Sequence, residues 1–122
     1  MDEIRLTLPQ EPRFYPVAHL VLGGVGSRVE LTVDGLDDLR LALDNLLERG
    51  WSGGEVTIAV RLDNGMLVTE VGPFDGELRG EFGDDRAREL GLRRILDALM
   101  DRVSVGDRDD GVWVTLEKRI AR

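Results

Sequence analysis

The sequence predicts an α+β fold: a two-layer α/β sandwich with helices on one face of a mixed, mainly antiparallel sheet. Three observations carry this. Asn64-Gly65, set between the strand-like runs Glu55 to Leu62 and Met66 to Val71, is a strong signal for a tight hairpin turn. Two helical stripes, Phe14 to Arg28 and Asp34 to Gly50, stand side by side ahead of that hairpin. A second hairpin closes the chain around Gly106 to Gly111. Strands joined by turns, with helices gathered elsewhere, pack as two layers. At 122 residues the chain has the size of one domain, expected over residues 1–122, and it can bury a core without staples.

Taken in order, Ile4-Arg5-Leu6-Thr7-Leu8 alternates apolar and polar residues as a half-buried strand does, and Pro9 ends it. Pro12 suits a first helical turn, and Phe14, Val17, Ala18, Val21, Leu22 and Val25 then form an apolar stripe softened by Gly23, Gly24 and Gly26. Asp34 is the expected N-cap of the next helix, whose Leu36, Leu39, Ala42, Leu43, Leu46 and Leu47 recur at three- and four-residue steps until Gly50. After the Asn64-Gly65 hairpin, residues 72–85 combine five glycine or proline residues with acidic ones and show no period. They are expected to form a mobile, lid-like surface loop. A third amphipathic helix is expected from Arg86 to near Asp101, on Leu92, Ile95, Leu96, Leu99 and Val103. Val103 and Val105 then lead into the last hairpin, where Val112, Val114 and Leu116 alternate with Trp113, Thr115 and Glu117.

Composition excludes several classes of function. The chain has no cysteine, so disulfides, thiolate metal sites and cysteine nucleophiles are ruled out together. That fits a reducing compartment, and a cytoplasmic location is expected. The net charge of −8 opposes duplex nucleic acid and anionic membranes, both of which call for clustered Lys and Arg. No apolar stretch has the length of a signal peptide or of a membrane span. A protein or a small ligand is the expected partner.

Few residues carry chemistry by themselves. The lone His19 lies in the stripe of the first helix and has no metal-ligand spacing around it, so it reads as a packed helix residue. Gly23-Gly24-Val25-Gly26-Ser27 follows a helical stripe instead of a strand and lacks the Gly-Lys-Ser/Thr ending of a phosphate loop. The pairs Asp37-Asp38, Asp84-Asp85 and Asp109-Asp110 stand at helix starts or turns, where capping and solubility explain them.

Read together, however, local words fall into a known order. Asp37-Asp38-Leu39-Arg40-Leu41-Ala42-Leu43-Asp44-Asn45 resembles the helix of the anti-sigma-factor serine kinases. These are the small bacterial branch of the ATPase superfamily that includes histidine kinases, gyrase and the heat-shock chaperones. Glu70-Val71-Gly72-Pro73-Phe74-Asp75 resembles that family's D-x-G-x-G-F-D turn. Arg88-Glu89-Leu90-Gly91-Leu92, with Ile95, Ala98 to Asp101 and Val103, resembles its G-x-G-L-x-x-I-x-x-L-M-D-x-V segment. Gly111 to Leu116 matches the closing G-T-x-V strand in place. The resemblance runs from about Arg5 to Lys118 and implies the histidine-kinase-like ATPase fold.

It also implies a pocket for ATP and magnesium at Asn45, Arg49, Glu70, Gly72, Gly91 and Thr115, and there the chain departs from the pattern. Asn45 stands at the family's general-base glutamate and Arg49 at its magnesium-holding asparagine. An amide cannot take a proton as a carboxylate does, and a guanidinium offers a hard cation no oxygen. A shift of register by one residue would present Asp44 or Glu48 instead, with no asparagine four residues later. Glu70 replaces the adenine-binding aspartate; Gly72 keeps the first glycine of the turn, and the second is either replaced by Phe74 or deleted. Glu89 puts a negative charge where a glycine would let helix N–H groups approach phosphate. No catalytic residue and no metal ligand is therefore assigned. The expectation is an anti-sigma-factor-like, protein-binding regulator without efficient magnesium-ATP binding, and the alternative is an active ATP-dependent serine kinase. Implied partners are a sigma factor or an anti-sigma-factor antagonist, with a homodimer as a further implied state. Arg13, Tyr15, His19 and Arg28 on or beside the first helix are the candidate contacts.

Overall fold

The structure is a computed structural model and describes residues 3–83 and 91–120. Its frame is a five-stranded sheet of Ile4–Pro9 (β1), Glu55–Asp63 (β2), Met66–Phe74 (β3), Arg102–Arg108 (β4) and Gly111–Arg119 (β5), in the order β1-β2-β3-β5-β4. All four pairings are antiparallel, so the expected mixed sheet is antiparallel throughout these strands. Asn64 and Gly65 take the positive φ values of 50° and 78° that the β2–β3 turn demands, which is why that dipeptide announced the hairpin.

The helices are Tyr15–Arg28 (α1), Val33–Arg49 (α2), the single turn Gly80–Gly83 (α3) and Leu92–Leu99 (α4). Thr32, not Asp34, caps α2: its hydroxyl accepts from the Gly35 amide at 2.9 Å, and Asp34 sits inside the first turn, where its charge suits the helix dipole. Gly50 ends α2 as expected. Its carbonyl and that of Leu47 accept from the Gln10 side chain, 2.8 Å from Leu47 O, which satisfies groups that the helix itself leaves open.

The core lies between the helices and one face of the sheet. Leu39, Leu43 and Leu46 of α2 are fully buried against Ile58 and Val60 of β2, Leu67 and Val71 of β3, Val114 and Leu116 of β5, and Leu92 and Leu96 of α4. Each such leucine contributes about 2 kcal/mol relative to exposure. Residues 72–83 of the expected loop at 72–85 lie largely in regular secondary structure. β3 runs on to Phe74, Gly76–Arg79 form a 3-10 turn capped by Asp75, and Leu78 and Phe82 are buried in the core. Their apolar side chains are too few and too irregularly spaced to show a period. The third helix is described from Leu92 onward, and Val103 belongs to β4. The expected helical start at 86–90, and Glu89 with it, lies outside the described residues.

Candidate nucleotide site

α2 presents two flanks beside its core face. On one, Asp44 Oδ1 accepts from His19 Nε2 at 2.7 Å and Arg40 donates to the His19 carbonyl, so this flank is turned to α1. Glu48 lies one turn beyond Asp44, close enough to Tyr15 for its charge to act on the phenol. Burial first, then Glu48 and Asp44, raise the Tyr15 pKa above its ordinary value. The other flank carries Asp38, Asn45 and Arg49, and Asp38 reaches Lys118 of β5 at 3.2 Å. Asp44 and Glu48 are thus turned to α1, and the opposite flank holds Asn45 and Arg49. The Asn45 amide donates to Leu41 O at 2.9 Å, one turn back, and Arg49 is exposed. Gly91 is the extended N-cap of α4, which packs against α2, so Asn45, Arg49 and Gly91 share the helix layer.

The other three positions face away from that layer. Side chains alternate along a strand, and Leu67 and Val71 of β3 and Val114 and Leu116 of β5 lie in the core. Glu70, Gly72 and Thr115 therefore project to the open face. There the carboxylate of Glu70 accepts from Arg61 Nη1 and Arg108 Nη2, each at 2.6 Å. Burial opposes its ionisation, but the hydrogen bonds and charges of Arg108 and Arg61 outweigh that and hold its pKa below the ordinary carboxylate value. Arg108 also stacks over the Trp113 ring at 4.3 Å, and Trp113 lies so close over Gly72 that a Cβ there would sit 2.6 Å from the ring. Thr115 is the register partner of Glu70.

Two residues gain weight that sequence reasoning did not give them. Phe74 is buried with its ring against Gly50 at the end of α2, where a Cβ would lie 2.6 Å from Phe74 Cδ1. Thr69 is the polar side chain that β3 turns toward the core, fully buried and with no partner for its hydroxyl. Its position in the alternation Leu67-Thr69-Val71 was the available signal. Of the candidate contacts of the first helix, Tyr15 and His19 both face α2, while Arg13 and Arg28 are exposed. Arg13 pairs with Glu11, Tyr15 donates to Leu47 O at 3.4 Å, and His19 is held by Asp44.

Helices layered on one face of this antiparallel sheet define the histidine-kinase-like ATPase fold. No protein-family model matches the sequence. The serine-protein kinase RsbW of Listeria monocytogenes serovar 1/2a is 31% identical across 98% of this chain and 88% of its own length. The RsbW of Listeria innocua serovar 6a is 29% identical over the same shares. The chain belongs to the RsbW family of serine-protein kinases. Its fold matches the crystal structure of the RsbU and RsbW domains of Rv1364c from Mycobacterium tuberculosis with a TM-score of 0.70 at 18% identity. That match covers all of this chain and 33% of the other. Among the described residues no helix is long and apolar enough to cross a membrane.

Proposed function

We propose that the chain is a protein-binding regulator of the anti-sigma-factor type that has lost efficient binding of magnesium-ATP and, with it, kinase activity. The observation that carries this reading is the division of the six pocket positions by the sheet. Asn45, Arg49 and Gly91 lie on the helix side, whereas Glu70, Gly72 and Thr115 lie on the far side, with the Glu70 carboxylate engaged by two arginines. The two sets therefore face opposite sides of the sheet. The residues on the helix side do not fit the group. Asn45 offers an amide where a proton acceptor is needed, and Arg49 a cation where magnesium would need oxygen. Phosphoryl transfer rests on positioning and charge neutralisation, and neither is supplied.

The retained function is then recognition of a protein: a sigma factor or its antagonist, by analogy with the family, with the surplus of eight negative charges favouring a basic partner. Titration calorimetry with magnesium-ATP tests the loss of the nucleotide. No saturable heat is expected at millimolar ligand, and micromolar binding would overturn the reading. Co-purification of the tagged chain from its native cell tests the rest, with a sigma factor or antagonist expected and recovery of the chain alone contradicting it.

A further inference from the structure

At the C-terminal end of α2, on the side turned to α1, lies an open cavity of about 270 Å³ whose walls include Pro12, Tyr15, Leu47, Glu48 and Trp51. Its construction is unusual for a surface hollow in that the backbone around it is pinned. The Gln10 amide donates to the Leu47 and Gly50 carbonyls and its oxygen accepts from the Ser52 amide at 2.7 Å. The Asp75 amide binds the Trp51 carbonyl at 2.7 Å, and the Tyr15 hydroxyl donates to Leu47 O. The segment that carries Trp51 is thus held from two sides, while the indole itself is 62% exposed, against the usual tendency of a tryptophan to bury.

Three features of this cavity favour a cation. Trp51 and Tyr15 supply aromatic rings, and an indole is the best of the π faces for a positive group. Glu48 is exposed and has no ion pair among the described residues, in contrast to Asp44 beside it, which His19 engages. The carbonyl end of α2 adds partial negative charge. The neighbouring cation Arg13 is already paired with Glu11, and Arg49 belongs to the flank of α2 turned away from α1.

We propose that this cavity is a docking point for an arginine side chain presented by a partner protein, with the guanidinium stacked on Trp51 and paired to Glu48. A guanidinium fits better than an ammonium because it is planar, stacks on aromatic rings and sheds water more readily. The net charge of −8 draws such a partner in. The inference does not depend on the state of the nucleotide pocket, since the cavity lies on the other flank of α2.

The test is a nuclear magnetic resonance titration of the full chain with an acetylated, amidated Gly-Arg-Gly peptide, using the isosteric neutral citrulline peptide as control. The indole N–H signals of Trp51 and of buried Trp113 serve as reporter and internal reference. The arginine peptide is expected to shift the Trp51 indole and the Leu47 and Glu48 amides with an affinity on the order of millimolar, leaving Trp113 unmoved. The exposed substitution Glu48→Gln should weaken this by about tenfold at unchanged melting temperature. Trp51→Ala should abolish the Leu47 and Glu48 shifts. An equal response to the citrulline peptide, no shift of Trp51 at saturating peptide, or full binding by Glu48→Gln would each overturn the proposal.

Discussion

On the helix-covered face of the sheet the Phe74 ring lies against Gly50; on the open face the Trp113 ring lies against Gly72. Both rings use the missing Cβ of a glycine to come close, yet the surroundings differ. Phe74 is enclosed by core leucines and is 2% exposed, whereas Trp113 is roofed by Arg108 and bonded through its indole N–H to Asp110 at 2.8 Å. The comparison teaches that two residues of one short motif, Gly72 and Phe74, serve opposite faces of the molecule. A motif gives the order of residues along the chain; on a regular strand residues two apart share a face, and the register shift between Val71 and Phe74 is what carries Phe74 to the side opposite Gly72.

The sharpest way to break the comparison is to fill the two glycines. Gly50→Ala should cost about 3 kcal/mol, because its Cβ would meet both Phe74 and the Leu46 carbonyl, 3.0 Å away, with no room for the enclosed ring to move. Gly72→Ala should cost less, about 1 to 2 kcal/mol, because Trp113 is covered by a partly exposed arginine that can give way. Urea unfolding of both variants measures the difference, and equal losses would erase the distinction between the faces.

Glu70→Gln comes next, at about 1 kcal/mol, since both arginine partners are partly exposed and water screens the pairs. Its effect should depend on pH with a definite sign. Glu70 has a folded pKa below its ordinary value of 4.5, so its contribution is fully present above that value and is lost as pH falls through the lower folded pKa. The stability gap between wild type and Glu70→Gln should therefore stay constant from neutral pH down to about 5 and close in more acidic solution. A gap that widens on acidification would contradict the assignment of its partners.

The smallest effect concerns the start of α2. Thr32→Ala should cost about 1 kcal/mol by removing the cap, while Asp34→Ala should cost a few tenths through the dipole alone. Thermal unfolding of the two variants ranks them, and the reverse order would restore Asp34 as the cap.

Much of the fold was legible in advance. Asn64-Gly65 can be little else but a tight hairpin, and the leucines of α2 repeat too regularly to be anything but a helix packed on a core. Thr32 was hidden behind Asp34 because both are good caps and boundaries shift easily by a residue or two. Leu78 and Phe82 escaped notice because a short turn shows no period, although both end up in the core. The site was legible only as a set of residues. Nothing in the words around Glu70 says that Arg61, nine residues earlier, and Arg108, thirty-eight later, will meet it on the open face, because those neighbours are fixed by the β2–β3, β3–β5 and β4–β5 registers.

The proposed loss of magnesium-ATP binding rests on the sheet, and not merely on two substitutions on α2, separating the positions that the family resemblance implies for the nucleotide. Calorimetry on the double variant Asn45→Glu/Arg49→Asn, which restores the family's carboxylate and amide on α2 and leaves Glu70 with its arginines, tests it most directly. The account predicts no saturable binding of magnesium-ATP by a variant that remains folded. Micromolar binding by that variant would show that α2 alone had been at fault and would contradict the account.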